Sequence, residues 1–197
     1  MHDRGITSHM TLSLGLFTTA LLATGLMRLG EVAVSARRMR QRPEAVLAEP
    51  ALFPAMALLH VGLIVLPLAE VFVLERPFSW LTAGPALGLL VGATALRVWT
   101  LKTIGISWNV RVVRPEPDRI ATTGPYRWIR HPNYLVVILE ILALPMLHGA
   151  WLAAALLTVA NAAVLARRIR NEERVLATVP AWEETMAQRS RLIPGIF

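Results

Sequence analysis

Five apolar runs dominate this chain and constrain its fold more than any other feature. They occupy residues 11–27, 51–69, 81–96, 134–147 and 149–166. Together they contain one charged side chain, Glu140, and one histidine, His60. A helix needs about 20 largely apolar residues to cross a bilayer. We therefore predict an all-α integral membrane protein with five transmembrane helices, the last two forming a tight hairpin, over residues 11–29, 51–74, 80–101, 133–147 and 149–170.

The composition agrees with a bilayer as the main solvent. Hydrophobic residues make up 55% of the chain and charged residues only 17%, against about a quarter charged in soluble domains. The absence of cysteine excludes disulfides and thiolate ligands, and the five histidines are scattered, so no metal site is predicted. The net charge of +7 comes from arginines beside the apolar runs, which favours a membrane-flanking role over nucleic-acid binding. We expect no obligate protein partner.

The distribution of arginine predicts the orientation of the helices. Arginines cluster after the first, third and fifth runs, whereas Arg76 alone lies between the second and third, and none lies between the last two. Because short cytoplasmic loops concentrate lysine and arginine, we expect the N-terminus outside and the C-terminus in the cytoplasm, in a bacterial inner membrane. Residues 1–9 are expected to be an expression scar before a single domain of residues 10–197.

Two polar segments lie on the same predicted side of the membrane. The connection of residues 102–133 is long and rich in proline and glycine, as segments that bind or react often are. After the fifth run, the helix is expected to continue to about Leu176 and the chain to restart at Pro180. Val179, Trp182 and Met186 then recur at helical spacing, which predicts a C-terminal helix in the interface. The alternative is a tail that only rests on the membrane.

Residues 124–134, GPYRWIRHPNY, concentrate two arginines, a histidine and three aromatic side chains at the start of the fourth helix. One interpretation is an interfacial anchor, since aromatic and arginine side chains favour headgroup depth. However, proline at the start of a helix leaves free backbone donors, and nearby cations then make an anion site. This second interpretation explains Arg130, His131 and Pro132 better.

A second cluster, RRIRNEE, occupies residues 167–173 at the end of the fifth helix. Arg168 and Glu172 are four residues apart and share a helix face. Taken alone, the cluster is typical of positive flanking residues with a surface ion pair. Because the last two helices form a hairpin, however, the start of one and the end of the other meet at one membrane surface. We therefore predict that the two clusters form one site.

This combination resembles the isoprenylcysteine carboxyl methyltransferase family, and its bacterial relatives that methylate long-chain alkylpyrones or alkylresorcinols. The resemblance covers residues 118–176 through Gly-Pro-Tyr, Arg-His-Pro-Asn-Tyr and Arg-Ile-Arg-Asn-Glu-Glu. It implies a cytoplasmic loop that binds S-adenosylmethionine and an acceptor site beside Arg168. The cofactor positions that it implies are Asp118, Arg119, Ile120, Ala121, Tyr126, His131, Pro132, Asn133, Tyr134 and Glu172.

The resemblance implies methyl transfer to a lipophilic small molecule that dissolves in membrane lipid. A carboxylate acceptor is already ionised and needs only Arg168 to orient it, whereas a phenol or enol reacts better with a base. An ionisable residue inside a span indicates function, so Glu140 is the candidate base, with His60 a weaker one. Replacing Glu140 with glutamine should then abolish turnover. Its alternative role is a structural polar contact. We favour O-methylation of a phenolic or pyrone polyketide over an isoprenylcysteine-like acceptor.

Two other classes of protein remain open from the sequence. A small transporter is one, in which His60, Glu140 and Asn161 would form a polar path. A membrane scaffold without catalytic activity is the other. Against a transporter, the chain has no internal repeat, and its polar residues concentrate at one predicted membrane face.

Overall fold

The computed structural model describes residues 3–41, 52–111 and 120–195, and the side chains of residue 11 onwards within these ranges. The described chain is helical. Its α-helices are α1 (Asp3–Arg40), α2 (Leu52–Val73), α3 (Trp80–Ile104), α4 (Pro132–Met146), α5 (Trp151–Leu176) and α6 (Pro180–Met186). Short 3-10 turns at Gly105–Ser107 and Gly124–Arg127 lie between α3 and α4. Asp118 and Arg119, two of the expected cofactor positions, lie outside the described residues.

Four of the described helices, α1, α2, α3 and α5, are long and apolar enough to cross a membrane. The 15 residues of α4 make it shorter, about 22 Å at 1.5 Å per residue. The prediction of an all-α membrane protein is confirmed. Large side chains on the spans face outward, among them Leu26, Leu58 and Phe72, as expected where lipid is the solvent.

The first helix is longer than the sequence analysis predicts. α1 continues beyond residue 29 to Arg40, because no proline or glycine interrupts residues 31–40 and Arg28 pairs with Glu31 at 2.7 Å across one turn. It also begins at Asp3, so the helix includes residues 3–9. Their assignment to an expression scar stays a prediction.

The hairpin of α4 and α5 has the tight turn that the sequence predicts. Pro145 lies near the end of α4, and its carbonyl accepts from Ala150 N at 3.0 Å. Gly149 adopts a φ of 69°, a left-handed conformation that favours glycine. Glu70 of α2 then accepts from the backbone N–H groups of Leu152 and Ala153, at 3.2 and 2.6 Å. This buried carboxylate caps the first turn of α5 and ties α2 to the hairpin.

An apolar core joins α1, α2, α4 and α5 in the part of the bundle nearer the turn between α4 and α5. Phe17, Leu63, Ile141 and Leu157 represent the four helices in it. The opposite end of the bundle, where α4 begins and α5 ends, is called the site end below. The core fixes the four helices relative to one another at a distance from the site end. Polar residues can therefore occupy the site end without lining this apolar core.

Four charged side chains form an ion-pair network inside the bundle. Glu140 of α4 accepts from Arg97 of α3 at 3.2 Å and from Arg28 of α1. Arg97 also donates to Glu31 of α1 at 2.5 Å. Two arginines and two glutamates balance in charge, which lowers the large penalty for charge in a bilayer. The network joins α1 to α3 and α4.

Candidate functional site

Tyr134 on α4 connects the two predicted clusters at the site end. Arg168 of α5 donates from Nε to the Tyr134 hydroxyl oxygen at 2.6 Å, and the hydroxyl donates in turn to Glu172. The guanidinium carbon of Arg168 also lies 5.5 Å from the centre of the Tyr134 ring. Arg168 and Glu172 therefore share the helix face that the sequence predicts. The predicted convergence of the two clusters is confirmed.

His131 begins α4 and holds the tyrosine in place. Its ring stacks on the ring of Tyr134, with centroids 5.3 Å apart and planes 24° apart. Its carbonyl accepts from the backbone N–H of Tyr134 at 3.0 Å, as the start of the helix requires. Its Nε2 lies 3.1 Å from Glu173 Oε1. The histidine is thus buried between the two helices, and one of its nitrogens contacts an acidic side chain.

Glu173 joins the C-terminal segment to the site. It pairs with Arg130 at 2.9 Å and with Arg191 at 2.9 Å, besides His131. The hydrogen bond to Glu173 raises the pKa of Arg191, although partial burial opposes the shift. The backbone N–H of Arg130 also donates to Ser190 O at 2.8 Å. The ion pair of Arg191 with Glu173 and this backbone bond therefore hold the C-terminal segment against α5 and the start of α4.

Helix α6 covers the Gly124–Arg127 turn. Val179, Trp182 and Met186 form a buried cluster with Tyr126. Of the recurring apolar residues predicted as a helix face, Trp182 and Met186 lie in α6, whereas Val179 is the extended residue just before it, and all three pack onto protein. Burial, with the negative charge of Glu172 adding to it, raises the pKa of the Tyr126 phenol above its ordinary value. Tyr126 therefore contributes a neutral, buried part of the wall of the site.

These residues surround one cavity of about 540 Å³. Most of the expected site positions in the described chain line it, namely Ile120, Ala121, Tyr126, His131, Asn133, Tyr134, Arg168 and Glu172. Pro132 is buried at the first position of α4 and shapes the backbone there. Ligand pockets of several hundred cubic ångströms are typical for small molecules. The cavity thus has the size of a site for a cofactor and part of an acceptor.

Two buried amide oxygens in the cavity wall have no hydrogen-bond partner within the described part of the chain. They are Oδ1 of Asn109 and Oδ1 of Asn133. Buried acceptors are nearly always satisfied in folded proteins, so each can accept from a bound ligand or from a water. The amino groups and ribose hydroxyls of S-adenosylmethionine are such donors, and Glu172 is a third acceptor nearby. These residues fit that cofactor.

Much of the remaining cavity wall is apolar and comes from α1 and α2, with Arg28, Glu31 and His60 as their polar contributions. Leu22, Leu26 and Val61 line the cavity, and they are 51%, 70% and 55% exposed. A side chain that meets both the cavity and the lipid-facing surface lies at an opening between them. Gly25 lets α1 pack closely on α2 beside this opening, because a Cβ there would lie 2.6 Å from Ile64 Cδ1. The cavity therefore opens toward lipid between α1 and α2.

Glu140 does not line the cavity; it lies beside it in the ion-pair network. Its side chain is 3% exposed, and both its oxygens accept from guanidinium groups. Arg28 and Glu31 of the same network do line the cavity. The geometry favours the structural contact over the role of base, which stays a prediction.

Sequence analysis missed several residues of the cavity wall. Met56 and Val110 both accept from the guanidinium of Arg168, through Sδ and the backbone carbonyl respectively. Asn109 follows the third apolar run without any motif around it. The sequence has no local signal for these positions, because they reach the site only through the packing of α2 and α3 on the hairpin.

Sequence comparison relates the chain to known proteins. The sequence model of the isoprenylcysteine carboxyl methyltransferase (ICMT) family matches residues 86–178. The uncharacterized protein YpbQ of Bacillus subtilis is 34% identical over 125 residues, which are 63% of this chain and 73% of YpbQ. The cobalt-zinc-cadmium resistance protein CzcN of Cupriavidus metallidurans is 32% identical over 99 residues, 50% of this chain and 44% of CzcN. The matched family region contains α4, α5 and most of α3.

Proposed function

Because this chain belongs to the isoprenylcysteine carboxyl methyltransferase family, we propose that it transfers a methyl group from S-adenosylmethionine to a lipophilic acceptor. The protein is an integral membrane protein of a methyltransferase family. The finer proposal is O-methylation of a long-chain phenolic or pyrone polyketide. The arginine distribution supports a bacterial inner membrane, with the site end at the cytoplasmic face.

One observation carries this proposal: a single cavity has two chemically different halves. The half at the site end presents Asn133, Tyr134 and Glu172, which suit a polar cofactor. The other half is lined by apolar side chains of α1 and α2 and opens toward lipid. A methyltransferase for a lipid acceptor needs both halves in contact, because donor and acceptor must meet in line.

The residues of the polar half bind and orient. When bound, S-adenosylmethionine supplies an electrophilic methyl group on a sulfonium sulfur. The amide oxygens of Asn109 and Asn133 accept hydrogen bonds from its amino groups or hydroxyls. Glu172, fixed by Tyr134, offers a carboxylate to the same class of donor. Trp182 of α6 and Tyr126 enclose this half and exclude water.

Arg168 lies between the two halves and orients the acceptor. Its guanidinium contacts Tyr134, Met56 and Val110, which belong to three different parts of the fold. These contacts fix the guanidinium plane before the acceptor binds, so its charge is oriented in advance. A carboxylate or a phenolate oxygen can approach such a group from the cavity side.

An acceptor carboxylate, as in an isoprenylcysteine-like substrate, is the second candidate. The observation that favours it is the same guanidinium of Arg168, since arginine binds carboxylates with two parallel hydrogen bonds. Such an acceptor needs no base. A transporter, one of the other classes left open by the sequence, is disfavoured. Glu140, which would belong to its polar path, is held in the ion-pair network.

The proposal is tested with purified protein in detergent and S-adenosylmethionine carrying a labelled methyl group. Saturable binding of the label is expected, followed by its transfer to a species in a total lipid extract that mass spectrometry identifies. The variant Glu172→Gln should weaken binding, whereas Glu184→Gln, on the exposed side of α6, should not. Failure of the wild-type protein to bind the cofactor would overturn the proposed function.

A further inference from the structure

We infer that Nε2 of His60 accepts the hydroxyl proton of a phenolic or enolic acceptor, and that His60 is therefore a catalytic residue on α2. This inference rests on the proposed function and deepens it by naming the acceptor group. His60 lies outside the residues that match the family model, which begin at residue 86. It lines the cavity in the half formed by α1 and α2.

The hydrogen bonding of His60 fixes which ring nitrogen is available. Nδ1 lies 2.7 Å from the backbone carbonyl oxygen of Met56. A carbonyl only accepts, so Nδ1 carries the hydrogen and donates it. In the neutral ring Nε2 then carries a lone pair, and no partner for it lies among the described residues. The lone pair is available to a ligand in the cavity.

His60 lies on α2 near the residue that contacts Arg168. Met56 contacts Arg168, and His60 follows it by one helical turn, about 6 Å along the axis. Side chains on a helix lean toward its N-terminus, and the N-terminus of α2 is at the site end. The bond to the Met56 carbonyl confirms this direction. Nε2 is therefore brought toward the place where the two halves of the cavity meet.

A second polar residue lies at the same depth on α5. The antiparallel helices α2 and α5 touch at Met56 with Arg168, and again where a Cβ on Gly62 would lie 3.2 Å from Leu157. Along α2, His60 lies between these two contacts. Asn161 lies at the corresponding position between them on α5. Asn161 is 6% exposed and lines the cavity. A hydroxyl between His60 and Asn161 has an acceptor on one side and an amide on the other.

This pair matches a neutral hydroxyl better than a carboxylate. A neutral imidazole Nε2 and a carboxylate oxygen both only accept, so they repel each other. A hydroxyl donates to Nε2 and leaves its oxygen lone pairs free for the reaction. Leu22, Val61 and Ile64 line the same cavity and suit the hydrocarbon part of the acceptor.

The step balances in atoms and charge. The acceptor O–H bond breaks as its proton passes to Nε2 of His60, and an oxygen electron pair forms the new bond to the methyl carbon. The bond between that carbon and sulfur breaks, and its electron pair stays on sulfur. The positive charge passes from the sulfonium to the imidazolium of His60. The imidazolium then releases its proton to water when the product leaves.

The first test measures binding without cofactor and without turnover. The ligands are a 4-alkylphenol and its O-methyl ether with the same alkyl chain, added to the full chain in detergent micelles. The wild-type protein should bind the phenol about tenfold more tightly, since only the phenol donates a hydrogen bond. His60→Asn keeps a donor for the Met56 carbonyl and should remove this preference. Equal affinities in the wild type, or a preference that survives in His60→Asn, would overturn the inference.

The second test compares acceptors that differ in acidity. On the 4-alkylphenol, His60→Asn should lower kcat by about 100-fold, as loss of a general base does. On a 4-alkyl-2-nitrophenol, which is largely ionised beforehand, the same variant should keep kcat within the same order of magnitude. The matched control is His148→Asn, which removes a buried histidine at the far end of the bundle and should change neither rate.

The outcomes separate this inference from the proposed function. Equal losses on both phenols, or no loss on either, overturn the role of His60 while labelled-cofactor binding still supports a methyltransferase. Methylation of a long-chain carboxylate with neither phenol accepted also overturns the inference. Absence of cofactor binding by the wild-type protein overturns the proposed function itself.

Discussion

The hydroxyl oxygen of Tyr134 lies 2.6 Å from Nε of Arg168 and accepts its hydrogen bond. The two residues belong to different helices of the hairpin, so this bond fixes the guanidinium relative to the start of α4. The same hydroxyl donates to Glu172. One phenol therefore links the residue proposed to orient the acceptor with a residue proposed to bind the cofactor.

Replacing Tyr134 with phenylalanine should lower kcat/KM by about 10- to 100-fold, the range for hydrogen bonds to charged groups. The ring and its stacking on His131 remain, so only the hydroxyl is lost. Labelled-cofactor binding and methyl transfer measure the effect, and thermal unfolding serves as the control for folding. An unchanged kcat/KM would show that the hydroxyl link has no functional role.

Replacing Glu140 with glutamine separates its two possible roles. If Glu140 is the base, turnover is lost and stability is kept. If it is structural, the variant leaves Arg28 and Arg97 with Glu31 as their one charged partner among the described residues, and the free energy of unfolding falls by about 3 kcal/mol. The geometry predicts the second result, with kcat per cofactor-binding site retained. The control is Glu183→Gln on the exposed side of α6.

Local signals in the sequence were enough to predict the hairpin and the convergence of its two clusters. Apolar runs separated by the single residue His148 leave no alternative to a tight turn, and the turn brings residues 124–134 and 167–173 together. The i,i+4 spacing of Arg168 and Glu172 then predicts their common face. These inferences need only the length and periodicity of α4 and α5.

The contributions of α1 and α2 could not be predicted in this way. Glu140 appears from sequence as a lone intramembrane charge, yet Arg28 is 112 residues away and forms an ion pair with it. Met56 contacts Arg168 at the same separation of 112 residues. Such contacts depend on which helices pack together and in what register, and no local pattern encodes that choice.

Replacing Glu70 with glutamine should destabilise the protein without changing its reaction. The carboxylate accepts from Leu152 N and Ala153 N and pairs with Arg76 at 2.9 Å. An uncharged amide interacts less well with the positive end of α5, so the free energy of unfolding should fall by about 2 kcal/mol. Glu70 lies at the far end of the bundle, so KM should not change. Thermal unfolding and kinetics test both points, with the exposed Glu75→Gln as control.

Tyr126 should make the protein less stable at alkaline pH. Burial first, and the charge of Glu172 second, raise the pKa of its phenol above the ordinary value, which is about 10. The unfolded chain then loses this proton at lower pH than the folded chain, so the contribution to stability is complete below about pH 10 and falls as the pH rises further. When denaturant unfolding is measured from neutral to alkaline pH, the free energy of unfolding should decline more steeply for the wild type than for Tyr126→Phe. Parallel declines would mean that the hydroxyl ionises equally in both states and that α6 does not keep water from it.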